Sequence, residues 1–194
     1  MLLGEIARIR VGMVVSRKKA EIDLEVKAEY PMLTLKNIQA EGFFTNEPIE
    51  NFKFKETIDS EFFTREGQIL FRLNHPNTAV LIEKTHEGLL IPSYFAIIEI
   101  TDPNILPGFV AWYLNTDMVK GELLKSQAGT NIPTTNKQVL EKIKIPELDR
   151  SKQRVIAEIQ RLYGEECRLF QQLMIERDKL YKTVTRSIIR LIER

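Results

Sequence analysis

Cysteine and histidine are scarce in this sequence: 194 residues contain one Cys, Cys167, and two His, His75 and His86. A lone thiol excludes an internal disulfide framework and a cysteine-rich zinc site. The two histidines lie far apart in sequence with no second ligand pair at a metal spacing, so no metal or other cofactor is expected. A reducing, cytoplasmic setting is the default for such a chain. Long apolar runs are missing too, and none reaches the roughly 18 residues of a membrane span. The opening Met1 to Arg8 lacks the layout of a signal peptide. Excess charge of one sign is also lacking. With 28 Lys plus Arg against 27 Asp plus Glu, the formal net charge is +1. That excludes a protein that coats nucleic acid by bulk charge, and any basic surface must be local.

The motifs of common catalysts are absent as well. There is no Walker-type phosphate loop, no GxGxxG and no Asn/Asp-Pro-Pro-aromatic segment of the methyltransferase kind. His75 and His86 read as loop histidines, because neither sits near a serine or cysteine nucleophile in sequence. Cys167 reads as a packed or partly exposed thiol, with no electropositive pocket to activate it. The carboxylates are scattered and form no constrained pair. The chain is therefore expected to be non-enzymatic.

Proline and glycine are present but unevenly placed. All 8 prolines lie between Pro31 and Pro146, and of the 9 glycines only Gly164 lies beyond Gly129. Proline breaks helices and glycine weakens them, so only the last segment is free to form one long helix. Charge divides at the same place: residues 1–150 carry a net −3 and residues 151–194 a net +4. These shifts predict two domains, 1–149 and 150–194.

The first segment reads as short strands separated by Gly, Pro or Asn: Ile6 to Val15, Met32 to Ile38, Gln68 to Leu73, Ala79 to Ile82 and Ser93 to Ile100. Strands without long intervening helices predict an antiparallel or barrel-like sheet. The period then changes. Phe109, Val110, Tyr113, Leu114, Met118 and Leu123 follow helical spacing over Pro107 to Leu124, with Pro107 suited to a helix start. Asn136 can cap a short helix ending near Glu141, and Ile143 to Pro146 resembles a closing strand. The expected fold class is α+β: a β-rich domain with a few helices, followed by one long C-terminal helix.

That helix carries apolar residues at Ile156, Ile159, Tyr163, Phe170, Leu173, Leu180, Val184 and Leu191. Successive gaps of 3, 4, 7, 3, 7, 4 and 7 form a heptad seam, interrupted by Glu166, Arg177 and Ser187. Asp149 or Ser151 can cap its start. At 1.5 Å per residue it would run about 60 Å. An exposed apolar stripe of that length needs a partner, and an antiparallel coiled-coil homodimer through these eight residues is expected.

The possible chemistry lies in the polar loops of the first segment. Arg10, Arg17, Lys18, Lys19 and Lys36 are candidate contacts to phosphate or guanine. Asn37, Arg72, Asn74, His75, Asn77, Ser93 and Tyr94 would face a groove or its edges, since Arg and Asn pair in bidentate fashion with guanine and adenine. Thr130, Asn131, Thr134 and Asn136 form a further candidate loop, on the DNA side or in domain packing. The plainer reading is that these are ordinary polar surface loops.

The order of features resembles the DNA-specificity subunit of type I restriction-modification systems, in a half-length form with one target recognition domain. Leu3-Gly4-Glu5-Ile6-Ala7-Arg8-Ile9-Arg10-Val11-Gly12 is similar to the start of such a domain. Gly67-Gln68-Ile69-Leu70-Phe71 resembles its mid-domain G-D-I-L strand, with Gln68 in place of the usual Asp. Pro107 to Thr116 is similar to its helix ending in Leu-Asn-Ser. Gly129-Thr130 with Ile132, Leu140, Ile143 and Ile145-Pro146 resembles its G-T to I-P passage. Pro146-Glu147-Leu148 before Gln153 is similar to its Pro-x-Leu-x-x-Gln, spaced wider. The resemblance implies a non-catalytic DNA-reading subunit that recognises one half of a split duplex target. It also implies adenine-specific methyltransferase (modification) subunits and a restriction/translocase subunit as partners. A two-fold dimer of such chains would read an interrupted palindrome. The competing reading is a β-rich protein-interaction module with a coiled-coil dimerisation helix and no DNA binding. A third, an enzyme with an unrecognised site, would need His75 or His86 in a deep pocket beside a carboxylate.

Overall fold

The structure, a computed structural model, describes residues 1–126 and 135–192, with all their side chains except those of Asp23, Ser126, Leu191 and Ile192. The elements run α1 (Leu3–Ile6), β1 (Ala7–Val11), β2 (Ala28–Met32), β3 (Glu50–Phe54), β4 (Ile69–Arg72), β5 (Thr78–Leu81), β6 (Phe95–Ile100), α2 (Pro107–Leu114), α3 (Asp117–Ser126), α4 (Lys137–Glu141) and α5 (Arg150–Ile192). The chain divides into two compact units, Met1–Ala157 and Glu158–Arg194.

The first unit is built on a four-stranded antiparallel sheet of order β1-β6-β4-β5. Its strands β4, β5 and β6 are apolar on both faces, because each face is covered. Ile9, Ile69, Phe71, Ala79, Ala96 and Ile98 point to one side, into a core with Phe109, Val110 and Leu114 of α2 and Leu140 of α4. The alternate residues Leu70, Val80, Ile82, Phe95 and Ile97 point to the other, against Leu33, Ile38, Leu89 and Ile91. Period-2 alternation sends neighbouring residues to opposite faces, so these continuous runs mark a sheet in the middle of its unit. A smaller ribbon of β2 and β3 carries a third core of Met13, Met32, Phe54, Ile58 and Leu90.

Three close approaches lock the frame. Met1 to Leu3 pair with Ile143 to Ile145, where Leu3 N–H donates to the Ile143 carbonyl at 2.9 Å and Ile145 N–H to that of Met1 at 2.9 Å. The expected closing strand is thus a short bridge to the chain start. At Gly12 a Cβ would lie 2.3 Å from the Pro92 carbonyl oxygen, so only glycine lets the two segments meet. Gly42 has φ of +88°, and a Cβ there would lie 2.4 Å from the Ala79 carbonyl oxygen.

Two local expectations change. The apolar run from Met32 is strand only to Met32; Leu35–Asn37 is a 3-10 turn closed by the Asn37 side chain. The helix expected over Pro107 to Leu124 is two helices. They part at Asn115 and Thr116, where the Asn115 amide turns to a strand edge and the Thr116 hydroxyl donates to the Tyr113 carbonyl at 2.7 Å. The β3 strand, hidden in the mixed run Glu50–Phe54, had no clear sequence signal.

In the second unit α5 continues alone. The helix holds 43 residues, about 65 Å at 1.5 Å per residue. Asp149 caps it, its Oδ1 accepting from Lys152 N–H at 3.0 Å, and the Ser151 hydroxyl donates to the same carboxylate.

Candidate nucleic-acid interface

Antiparallel pairing decides which loops meet. Val11 lies beside Ala96, Arg72 beside Phe95, and Arg72 beside Thr78. The end of β1, the end of β4 and the starts of β5 and β6 therefore share one end of the sheet. The Leu73 to Asn77 turn and the Ser93-Tyr94 pair converge there. Leu73 N–H donates to the Tyr94 carbonyl at 2.9 Å, and Thr135 N–H to that of Leu73 at 2.9 Å.

Several candidate side chains at this end are engaged internally. Asn77 is buried, and its amide donates to the carbonyls of Leu73 (2.9 Å) and Arg72 (3.1 Å), closing the turn from within. The expectation that Asn77 faces a groove is corrected on that ground. Tyr94 packs on the second core and its hydroxyl donates to the Leu33 carbonyl at 2.9 Å; burial pushes the phenol up to about 12. The Arg72 guanidinium donates to the His75 carbonyl at 3.3 Å. Ser93 is half-buried and its N–H donates to the Met13 carbonyl. Asn74 is half-buried, His75 is exposed, and the His75–Pro76 peptide is cis.

Arg10 lies on β1 and is drawn inward, 2.8 Å from the Glu99 carboxylate, with a second donor to the Glu61 carbonyl. It belongs to an internal set in which the Gln68 amide also donates to Glu99 at 2.7 Å. Asn37 is buried as well: its Oδ1 accepts from the Thr34 N–H and hydroxyl at 2.8 Å each. Both depart from the sequence expectation, because a short polar residue that closes a turn, or a cation matched by a half-buried carboxylate, is already engaged. Asn136 caps α4, accepting from Val139 N–H at 3.0 Å. Thr130, Asn131 and Thr134 lie outside the described residues.

Lys18, Lys19 and Lys55 lie at the ribbon. Lys19 bridges to Phe54 through its backbone, and its ammonium sits 4.7 Å from the Phe52 ring centre. Lys18 pairs with Glu56 at 2.8 Å, a hydrogen bond that holds its ammonium above the usual lysine range. Lys55 pairs with Glu25 at 3.0 Å. Arg17, Lys19 and Lys36 are exposed. The surface is mixed in sign, in keeping with the near-neutral chain.

Of the eight seam residues, Ile156 is half-buried and packs against the first core. Ile159, Tyr163, Phe170, Leu173, Leu180 and Val184 are exposed, while the Leu191 side chain lies outside the described set. Val155, Leu162, Leu169, Met174, Tyr181 and Ile188 are exposed too and widen the stripe on both sides. Counting only the heptad seam overlooked these flanking positions. Glu158–Arg161, Glu165–Arg168 and Glu176–Lys179 pair at 2.7–2.8 Å along the helix.

Sequence reasoning also missed residues that organise the unit. Asn115 acts on the β5 edge: its Oδ1 accepts from Ala79 N–H at 2.9 Å and its amide donates to the Ala79 carbonyl at 2.7 Å. Gln153, 1% exposed, accepts from Leu106 N–H at 2.8 Å and donates to the carbonyls of Leu148 and Asn104. A polar side chain this deep in a helix start is a packing signal that only its three partners reveal. His86 lies flat on Phe44, ring centres 3.6 Å apart, and burial lowers its pKa. Among the described residues no His, Cys, Asp and Glu gather as a metal site, and no helix is long and apolar enough to cross a membrane.

No family model matches the sequence, and no curated protein matches it. Solved structures do resemble its fold. An HsdS subunit from Thermoanaerobacter tengcongensis superposes with a TM-score of 0.60 at 17% identity, covering 92% of this chain and 45% of that one. A structure described as the basis of complex assembly and conformational transition of the type I R-M system gives 0.58 at 17%, with the same coverage. The type I restriction-modification S subunit from M. genitalium gives 0.55 at 18%, covering 93% and 43%. The chain spans less than half the length of these structures, and it has their fold.

Proposed function

We propose that this chain is a non-catalytic, DNA-reading specificity subunit of a type I restriction-modification system, carrying one target recognition domain. The observation that carries the reading is the fold likeness to such subunits over 92% of the chain. The sequence resemblance, drawn from the order of short motifs, supports it independently. Residues 1–149 form the recognition domain in this reading, and 150–194 the spacer and dimerisation helix. The protein works in the cytoplasm.

The chain reads one half of a bipartite target, and adenine-specific methyltransferase and restriction subunits dock on it. Arg17, Lys19 and Lys36 supply phosphate contacts, for their side chains are exposed. Asn74, His75 and Ser93 are the candidates for base edges or the groove wall. Arg72, Tyr94 and Asn77 shape the loops that present them. Two copies joined through α5 would place two identical heads on an interrupted palindrome.

The test is reconstitution with adenine methyltransferase subunits and mapping of methylated adenines. The expected product is methylation at a two-fold symmetric, split sequence, with an affinity that falls steeply as salt rises. Duplex affinity indifferent to sequence and salt, with or without the methyltransferase, would favour the protein-interaction module instead.

A further inference from the structure

Two charged residues interrupt the apolar stripe of α5, and their placement specifies how a second copy would lie on it. Glu166 and Arg177 fall on the seam that also contains Ile159, Phe170, Leu173 and Val184, and both are exposed. Arg177 lies 3.6 Å from Asp178, with both side chains about two-thirds exposed (70% and 65%). The polar pairs that suit an outer face, Glu158–Arg161 and Glu165–Arg168, are separate from these two.

We infer that α5 pairs with α5 of a second copy in one antiparallel register, its two-fold axis passing between Gln171 and Gln172. This rests on the dimer of the proposed function, antiparallel as the heptad seam is read, and goes beyond it by fixing the alignment. Across that axis Phe170 meets Leu173 of the second copy, and Tyr163 meets Leu180. Ile159 meets Val184. Glu166 meets Arg177, twice by symmetry. Each meeting joins alternate seam positions, the layering that antiparallel coiled coils require. Every apolar seam position from Ile159 to Val184 then faces an apolar one, and each seam charge faces its opposite.

Other alignments fail this charge match. A slide of one heptad sets Glu166 against Phe170 in one direction or Val184 in the other, and leaves Arg177 against Ile159 or Leu173. A parallel pair sets Glu166 on Glu166 and Arg177 on Arg177. A desolvated charge without a mate is strongly unfavourable, whereas a polar group matched at one seam position selects register at some cost in stability. The occupant is a second copy because the complementarity is internal to this one helix.

Three variants of the full chain test the inference: Glu166→Arg, Arg177→Glu, and the double exchange. Both residues are exposed on the helix, so the head should fold in each, as circular dichroism would verify. In sedimentation equilibrium at tens of micromolar, the wild type is expected to be a dimer. Each single variant should dimerise about 100-fold more weakly or worse. The double exchange should recover the dimer, and so should a mixture of the two single variants as a heterodimer. A dimeric wild type whose single variants dimerise equally well would overturn the register and leave the dimer standing. Failure of the double exchange to recover association, with both single variants weakened, would overturn the antiparallel alignment. A monomeric wild type would overturn both the register and the dimer.

Discussion

The two units treat apolar side chains in opposite ways. In Met1–Ala157 the large apolar residues are inside: Phe54, Phe71, Phe95 and Phe109 are fully buried, in three cores that cover both faces of the sheet. From Glu158 onward Ile159, Phe170, Leu173 and Leu180 are each more than half exposed. One unit completes its own core. The other has a stripe too wide for a solvated helix and no core of its own. On the proposed dimer, the contrast assigns the stability of the chain to the first unit and its association to the second, so perturbations should separate cleanly between them.

The largest separation is expected from charge on the stripe. Phe170→Asp or Leu173→Asp should weaken dimerisation about 100-fold or more while the melting temperature of a dilute sample holds. Sedimentation and thermal melts on one preparation would check both. If either variant stays dimeric, the seam is misplaced.

The converse is a change that unfolds the head and spares the stripe. Gln153→Ala leaves the Leu106 N–H without its acceptor and two carbonyls without their donor, and should cost about 2–3 kcal/mol. Denaturant titration reads it directly. An unchanged midpoint would show that the start of α5 is held to the first core by its other contacts, such as Ile156 packing and the Arg150 bond to Pro103.

A smaller effect depends on pH. Burial raises the Tyr94 phenol to about 12, so the fold favours the neutral form. Its contribution is full below the unfolded value near 10 and is lost as pH climbs through 12. Of the five tyrosines, burial raises Tyr113 as well as Tyr94, so ultraviolet titration should show a late-ionising step from Tyr94 that Tyr94→Phe removes. A Tyr94→Phe profile identical to wild type would place the late step elsewhere.

The smallest effect concerns DNA. Replacing Lys36 or Arg17 by Ala should reduce the salt dependence of duplex binding by about one unit of slope, and leave sequence preference unchanged. Altered preference instead would make that residue a base reader.

Much of this architecture was legible in advance, for physical reasons that differ by region. The stretch after Pro146 has no proline and a heptad seam, so periodicity alone fixes a long helix. β4, β5 and β6 are continuous apolar runs bounded by turns and are equally plain. The ribbon is not: Glu50–Phe54 alternates Glu, Asn and Lys with Phe, and its pairing with β2 comes from tertiary packing. The candidate interface was hardest. Asn37 and Asn77 look like base readers by type, yet a short amide is equally suited to closing a turn, and only backbone geometry decides between the two uses. Gln153, which belongs to the motif resemblance, and Gln68, which departs from it, prove to be internal ties. In the sequence, scaffold and reader are written with the same polar letters.

The amide of Asn115 imitates one residue of a neighbouring strand. By taking both the N–H and the carbonyl of Ala79, it seals a stretch of the outermost strand against foreign β-structure. Stray chains are denied that template, and on the proposed dimer self-association is left to a surface whose alignment can be encoded by charge.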